Sequence, residues 1–156
     1  MRFSKKNKIK FTLITIFGII LLLIDQISKL MIRSLIPIGK IIKFIPGILS
    51  ITNLQNTGAA WSILTGNSFL FIVISVIAIF IFGYLICEYY ENYHYTIGLV
   101  LMLVGTIGNL IDRILFGYVT DMFQLDFINF PVFNVADSCL SVGVLIIIYS
   151  LVCKGK

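Results

Sequence analysis

Hydrophobic and polar positions separate on a coarse scale along this chain: four long apolar runs alternate with stretches that hold nearly all the polar residues. The first run follows a basic tail (Arg2, Lys5, Lys6, Lys8, Lys10) and is uncharged from Phe11 to Ile24. It resembles a secretory signal peptide, but no small-x-small cleavage site follows. Asp25, Lys29 and Arg33 come next, and Pro37 ends the segment, because proline lacks an N–H and its ring clashes with the preceding turn. The pattern predicts a retained transmembrane helix over 9–35. Three further runs, 69–87, 95–115 and 135–153, are close to the ~20 residues that a hydrocarbon core of about 30 Å requires. Gly117 is placed to end the third helix in a left-handed conformation, and Asn134, after Pro131, to cap the fourth.

The connections are uneven. Residues 36–68 are broken by Lys40, Lys43, Pro46 and Gly47, and 48–54 alternates loosely, as a strand does. There follow Asn56, Thr57, Gly58, Ala59, Ala60, Trp61 and Ser62. These small residues suit close backbone approach of a ligand, with Trp61 at the lipid interface. Residues 88–94 form a short polar loop that includes His94. Residues 117–133 are too polar to span and too short for a domain, and Asp121 sits there on a short extended segment.

Composition agrees with this layout. Of 156 residues, 59% are hydrophobic and 12% charged, against about 25% charged in soluble domains. Mean hydropathy is +1.05. The expectation is an integral membrane protein with one all-α domain over 1–156, a bundle of four transmembrane helices. The net charge of +5 does not imply nucleic acid, because the basic residues gather in the tails, where membrane orientation and anionic lipid account for them. The tails hold Arg2, Lys5, Lys6, Lys8, Lys10, Lys154 and Lys156, whereas Lys29, Arg33, Lys40, Lys43 and Arg113 lie toward the opposite face. That bias places both termini in the cytoplasm. Cys87, Cys139 and Cys153 lie in apolar runs and read as small buried hydrophobes. One histidine and scattered cysteines offer no metal-ligand spacing.

The acids sort by face. Glu88 and Glu91 fall in the cytoplasmic loop, and Asp25, Asp112, Asp121, Asp126 and Asp137 fall toward the outer side. Phe11 to Asp25 is about 21 Å of helix, which sets Asp25 in the outer half of the core. A helical hairpin can bring Asp121 and Asp137 together, and neighbouring carboxylates share a proton. The ionised partner can take a proton from water while the protonated one polarises a carbonyl, which suffices to split an amide without a covalent intermediate. Spacing alone leaves a second reading open, in which both acids are boundary residues and Asp137 only starts a helix. Asp25 and Lys29, four apart on one helix face, read as a buried ion pair. Ser28 points away from Lys29, which argues against a serine mechanism. Asn109 and Arg113 also share a face; they could bind a substrate carbonyl or anchor the hairpin, while a snorkelling Arg113 is the plainer alternative. Gly105 and Gly108 suit close helix packing, and Asp126 and His94 read as solvated.

Several stretches together resemble the bacterial lipoprotein signal peptidases. Gln55 to Ser62 looks like their N-x-G-A-A-[FW]-S box, and Gly108 to Arg113 like G-N-x-x-D-R. Val119 to Asp121 looks like V-x-D, Phe133 to Ser138 like F-N-x-A-D-S, and Asp25 to Lys29 like D-x-x-[ST]-K. The five boxes occur in order and cover nearly the whole chain. Met122-Phe123 departs from a common Phe-Ile after the V-x-D aspartate. The resemblance implies an aspartic peptidase of the bacterial plasma membrane, with four transmembrane helices, a small extracytoplasmic β-sheet and an interfacial segment; the expected state is a monomer. It implies no cofactor. Its substrates would be prolipoproteins, cut before a diacylglyceryl-modified cysteine at the outer face. By motif position Asp121 and Asp137 would be catalytic. Asn56, Gly58, Asn109, Arg113 and Asn134 would hold substrate or orient the pair, and Asp25 and Lys29 would support the site.

The rival reading is a small proton-coupled carrier, since intramembrane acids also mark proton relays. It predicts acids spread through the membrane depth and an internal repeat; neither is present in the sequence.

Overall fold

The structure, a computed structural model, describes residues 5–58 and 66–154. The elements in chain order are α1 (Lys5–Leu35), β1 (Ile41–Ile45), β2 (Leu49–Asn56), α2 (Ser68–Glu88), α3 (Tyr93–Phe116), β3 (Val119–Leu125) and α4 (Val135–Lys154). Four helices are long and apolar enough to cross a membrane, with ends close to those the hydropathy pattern predicts. Gly117 ends α3 at φ 78°, its N–H bonded to Arg113 O. At the other end the Asn92 side chain caps α3 by accepting from Tyr95 N. That cap draws His94 out of the expected loop and into the first helical turn, half-buried and edge-on to the Tyr93 ring. The stretch from Ala59 to Ser62, with Trp61 at its expected interface, lies outside the described residues.

Helix α3 is central and packs against α1, α2 and α4. The core consists largely of its Leu99, Val100, Leu101 and Val104, with Ile14, Ile86 and Cys139. Its contact with α4 is backbone to backbone. A Cβ on Gly98 would stand 3.0 Å from Gly143 O, and one on Gly105 would strike Ala136 O. With no hydrophobic drive between helices in lipid, such close approach is what holds them together. The outer faces of the helices present apolar side chains, for example Phe69, Phe80 and Leu151, as a lipid-facing surface must. Cys87 and Cys153 lie on that outer surface, and only Cys139 is buried as expected: an apolar run in a membrane bundle can face lipid as well as core.

The sheet has three antiparallel strands in the order β1-β2-β3. The strand expected at 48–54 is β2. β1 was not foreseen, because Lys43, Pro46 and Gly47 read as breaks. Pro46 and Gly47 instead form the turn between β1 and β2, with Gly47 at φ 78° and Ile48 N bonded to Ile45 O. Between β2 and β3 the register shifts at Ile51/Leu54. Beyond that irregularity Leu54 pairs with Asp121 and Asn56 with Val119, which sets Asn56 diagonally beside Asp121. Asp126, exposed as expected, closes the far end of the pairing by accepting from Ser50 Oγ at 2.9 Å.

Candidate active site

Asp121 is the third residue of β3 and Asp137 the third of α4. The chain between them turns back on itself: Phe123 N donates to Phe133 O at 2.8 Å, and Phe133 N donates to Phe123 O at 3.0 Å. This brings the start of α4 alongside β3. Asn134 occupies the junction. Its Oδ1 accepts from Asp137 N at 2.9 Å, and Asp137 Oδ2 accepts from Asn134 N at 3.2 Å. This is a reciprocal capping pair, which satisfies two N–H groups at the helix entrance. The Asn134 Nδ2 donates to Asp121 Oδ1 at 2.7 Å. One residue therefore donates to both carboxyls, from its side-chain amide to Asp121 and from its backbone N–H to Asp137.

Two more amides complete the set. Asn109 Nδ2 donates to Asp137 Oδ1 at 2.8 Å, and Asn56 Nδ2 donates to Asp121 Oδ2 at 2.9 Å. Each of the four carboxylate oxygens thus has a donor. The amides are themselves held. Lys29 Nζ, which can only donate, lies 2.9 Å from Asn109 Oδ1 and so fixes which end of that amide faces Asp137. Gly58 N donates to Asn56 Oδ1 at 2.9 Å. The Asp121 carboxyl is pushed up to about 7, first by burial and then by the charge of Asp137, against the opposing pull of the Asn56 and Asn134 hydrogen bonds and of Lys29. A buried carboxyl with a raised pKa favours the fold while protonated, and that contribution is lost as pH rises through about 7.

Behind the amides, Asp25 and Lys29 are fully buried and paired at 3.0 Å, as the spacing predicts. Asp25 does more than neutralise a lysine: its Oδ1 accepts from Ala136 N at 2.9 Å, another of the free N–H groups of α4. Gly108 makes room for this, since a Cβ there would stand 2.5 Å from Asp25 Oδ2. Ser28 Oγ turns away to Asp25 O at 2.8 Å. Arg113 does not snorkel. It donates to Gly58 O at 3.3 Å and to Asn109 O at 3.5 Å, and lies 4.9 Å over the Phe71 ring, so it ties the Asn56–Gly58 segment and α2 to α3.

A cavity of about 760 Å³ opens onto both acids. Asn56, Gly58, Asn109 and Arg113 line it, together with apolar side chains of α2 and α4 such as Phe71, Ile74, Phe82 and Val142. Asn134, Asp25 and Lys29 are not among the lining residues. Sequence reasoning missed Asp112, Thr120 and Arg33. Asp112 Oδ2 accepts from Thr120 N at 2.9 Å, and Arg33 Nη1 donates to Thr120 Oγ1 at 2.9 Å. Helical spacing did carry a signal. Arg33 is one turn beyond Lys29, as Lys29 is beyond Asp25, and Asp112 is three beyond Asn109.

The model of the family described as Signal peptidase (SPase) II matches residues 17–153. The chain is 53% identical to the lipoprotein signal peptidase of Lactiplantibacillus plantarum, over 85% of this chain and 89% of that one. It is 49% identical to the lipoprotein signal peptidase of Enterococcus faecalis, over 85% and 83% of the two chains. It is also similar to a bacterial membrane enzyme solved by the in meso method at 2.3 Å resolution, with TM-score 0.89 and 33% identity over 93% of this chain and 90% of that chain.

The Asp25 geometry gives a test of the layer behind the amides. Asp25→Ala removes the nearer of the two carboxylates facing a fully buried lysine and uncaps Ala136 N. It should lower unfolding stability in detergent by about 3 kcal/mol and reduce activity with it. A variant as stable as the parent yet wholly inactive would assign Asp25 a direct chemical part instead.

Proposed function

The chain belongs to the signal peptidase II family, and on that premise we propose that Asp121 and Asp137 are the two acids with which it cuts. It is an aspartic peptidase that removes the signal peptide from prolipoproteins, and the carrier reading falls away. In the proposed mechanism the pair holds one proton. The ionised carboxylate takes a proton from a water molecule as that water attacks the scissile carbonyl carbon, and the protonated partner donates to the carbonyl oxygen. Collapse of the tetrahedral intermediate returns a proton to the leaving amine, and no covalent enzyme intermediate forms. The observation that supports this most is that one residue, Asn134, donates to both carboxyls, by its side chain to Asp121 and by its backbone N–H to Asp137. The raised pKa of Asp121, about 7, fits an acid that still carries its proton near neutrality.

The finer reading of the substrate is a cysteine already carrying diacylglycerol. Its acyl chains would stay in lipid or between α2 and α4, and the peptide would pass beneath the Asn56–Gly58 segment. One chain supplies the whole proposed site, as a monomer requires. We place both termini in the cytoplasm and the acids at the outer face, on the strength of the basic N-terminal tail.

Asp121→Asn and Asp137→Asn should each abolish cleavage of a diacylglyceryl-cysteine peptide while leaving the protein folded. Asparagine keeps the shape of aspartate but cannot accept the proton of the attacking water. The double variant should be no worse than either single one, because the pair acts as a unit. Near-parental turnover in either single variant would show the pair to be wrongly assigned.

Topology is tested separately. A cysteine in place of exposed Lys43 should react with a membrane-impermeant thiol reagent in intact cells, in a background lacking Cys87, Cys139 and Cys153. Labelling only after lysis would invert the proposed orientation.

A further inference from the structure

Behind the amides lies a closed set of four charges: Asp25, Lys29 and Arg33 from α1, and Asp112 from α3. Asp25, Lys29 and Asp112 are 0% exposed. The Arg33 side chain is 16% exposed and lies 4.3 Å over the face of the Phe116 ring. Two cations balance two carboxylates, which is the condition for burying them at all.

The division of labour between the cations is unequal. An ammonium has three N–H donors. Lys29 Nζ has Asn109 Oδ1 at 2.9 Å, Asp25 Oδ2 at 3.0 Å and Gly108 O at 3.3 Å, with Asp112 Oδ2 farther off at 3.7 Å. Its donors are used before Asp112 is reached. Arg33 takes that carboxylate from the other side, Nη1 to Asp112 Oδ1 at 3.3 Å, and the same nitrogen donates to Thr120 Oγ1 at 2.9 Å. Asp112 Oδ2 accepts from Thr120 N at 2.9 Å, and Asn134 Nδ2 approaches Thr120 O at 3.4 Å. Thr120, the residue immediately before Asp121, is therefore held at its N–H, its hydroxyl and its carbonyl.

We propose that Arg33 is a positioning residue for both acids. Its guanidinium fixes Thr120 and with it the placement of Asp121. By neutralising Asp112 it also leaves the Lys29 ammonium free to hold Asn109 toward Asp137. The role rests on the assignment of Asp121 and Asp137 as the working pair.

Two consequences separate this role from simple support of the fold. Without the Arg33 charge, Lys29 alone faces Asp25 and Asp112, and the set beneath the acids becomes net negative. Arg113 is the other cation near the pair, and it is engaged with Gly58 O and Asn109 O. Added negative charge disfavours ionisation of Asp121 and Asp137, so the alkaline limb of the pH–rate profile moves to higher pH. A lysine at position 33 keeps the charge but lacks the planar group that lies over the Phe116 ring and directs Nη1 at Asp112 and Thr120.

The test is steady-state cleavage of a lipidated prolipoprotein peptide across pH, using purified full-length parent, Arg33→Met, Arg33→Lys, Thr120→Val and Asp121→Asn. Arg33→Met should lose kcat roughly tenfold to a hundredfold, the scale of a small misplacement of a reacting group. Its KM should stay near the parental value and its alkaline limb should rise. Arg33→Lys should keep the parental limb and recover part of kcat. Thr120→Val should lower kcat with the limb unmoved. Parental kcat in Arg33→Met overturns the proposal, as does a loss of kcat with the limb in place. If Arg33→Met does not fold, Thr120→Val with parental kcat, or Arg33→Lys with a displaced limb, overturns it. Asp121→Asn keeps the two assignments apart. Turnover retained in that variant means the acid pair itself is wrong. Its inactivity beside a parental Arg33→Met means that only the role of Arg33 fails.

Discussion

Two carboxylates, Asp121 buried and Asp137 half-buried, share one site, and the protein meets their demand for hydrogen bonds with amides instead of cations. A lysine or arginine bonded directly to either acid would stabilise its charge and pull its proton off. Asn56, Asn134 and Asn109 supply donors to Asp121 and Asp137 without placing a full positive charge on them. The charges stand one layer back, where the hydrogen-bonded link from Lys29 toward Asp137 runs through Asn109. An acid can then stay protonated near neutral pH and still be held in one orientation. The pKa of about 7 at Asp121 is the outcome of burial and the neighbouring acid outweighing those amide bonds.

The rest of the fold can be traced to that arrangement. The acids must meet where a strand enters a helix, so α4 begins with a reciprocal cap and takes a further acceptor from Asp25 across the bundle. Asp25 reaches Ala136 N only because Gly108 has no side chain, and α3 and α4 touch only because Gly98, Gly105 and Gly143 have none. The sheet carries Asn56 to Asp121 through its shifted register. The apolar outer faces, by contrast, are set by lipid, and they carry no comparable geometric demand.

The sequence made the four spans legible because membrane thickness imposes a length on each apolar run, and the capping roles of Gly117 and Asn134 followed from local rules. The Asp25–Lys29 pair was legible for the same reason, since four residues on one helix fix a shared face. What could not be read was contact between distant segments. Arg33 and Thr120 are 87 residues apart, and Lys29 and Asn109 are 80 apart. Nothing local marks Thr120 as a partner. β1 was hidden because Lys43, Pro46 and Gly47 looked like breaks, and nothing local showed that Pro46 and Gly47 turn β1 back onto β2. Cys87, Cys153 and His94 were misplaced because an apolar run does not say which of its faces meets lipid, and a polar stretch does not say where its cap falls.

The central claim is that the acid pair holds one proton near neutral pH under the restraint of neutral amides. Carboxyl-carbon NMR of aspartate-labelled protein in detergent, titrated from pH 4 to pH 9 in the parent and in Asp121→Asn, tests it most directly. One aspartate carboxyl should still be protonated at pH 6 and titrate near 7, and its signal should be absent from the Asp121→Asn spectrum. A parent in which every aspartate carboxyl is ionised by pH 6 would contradict it.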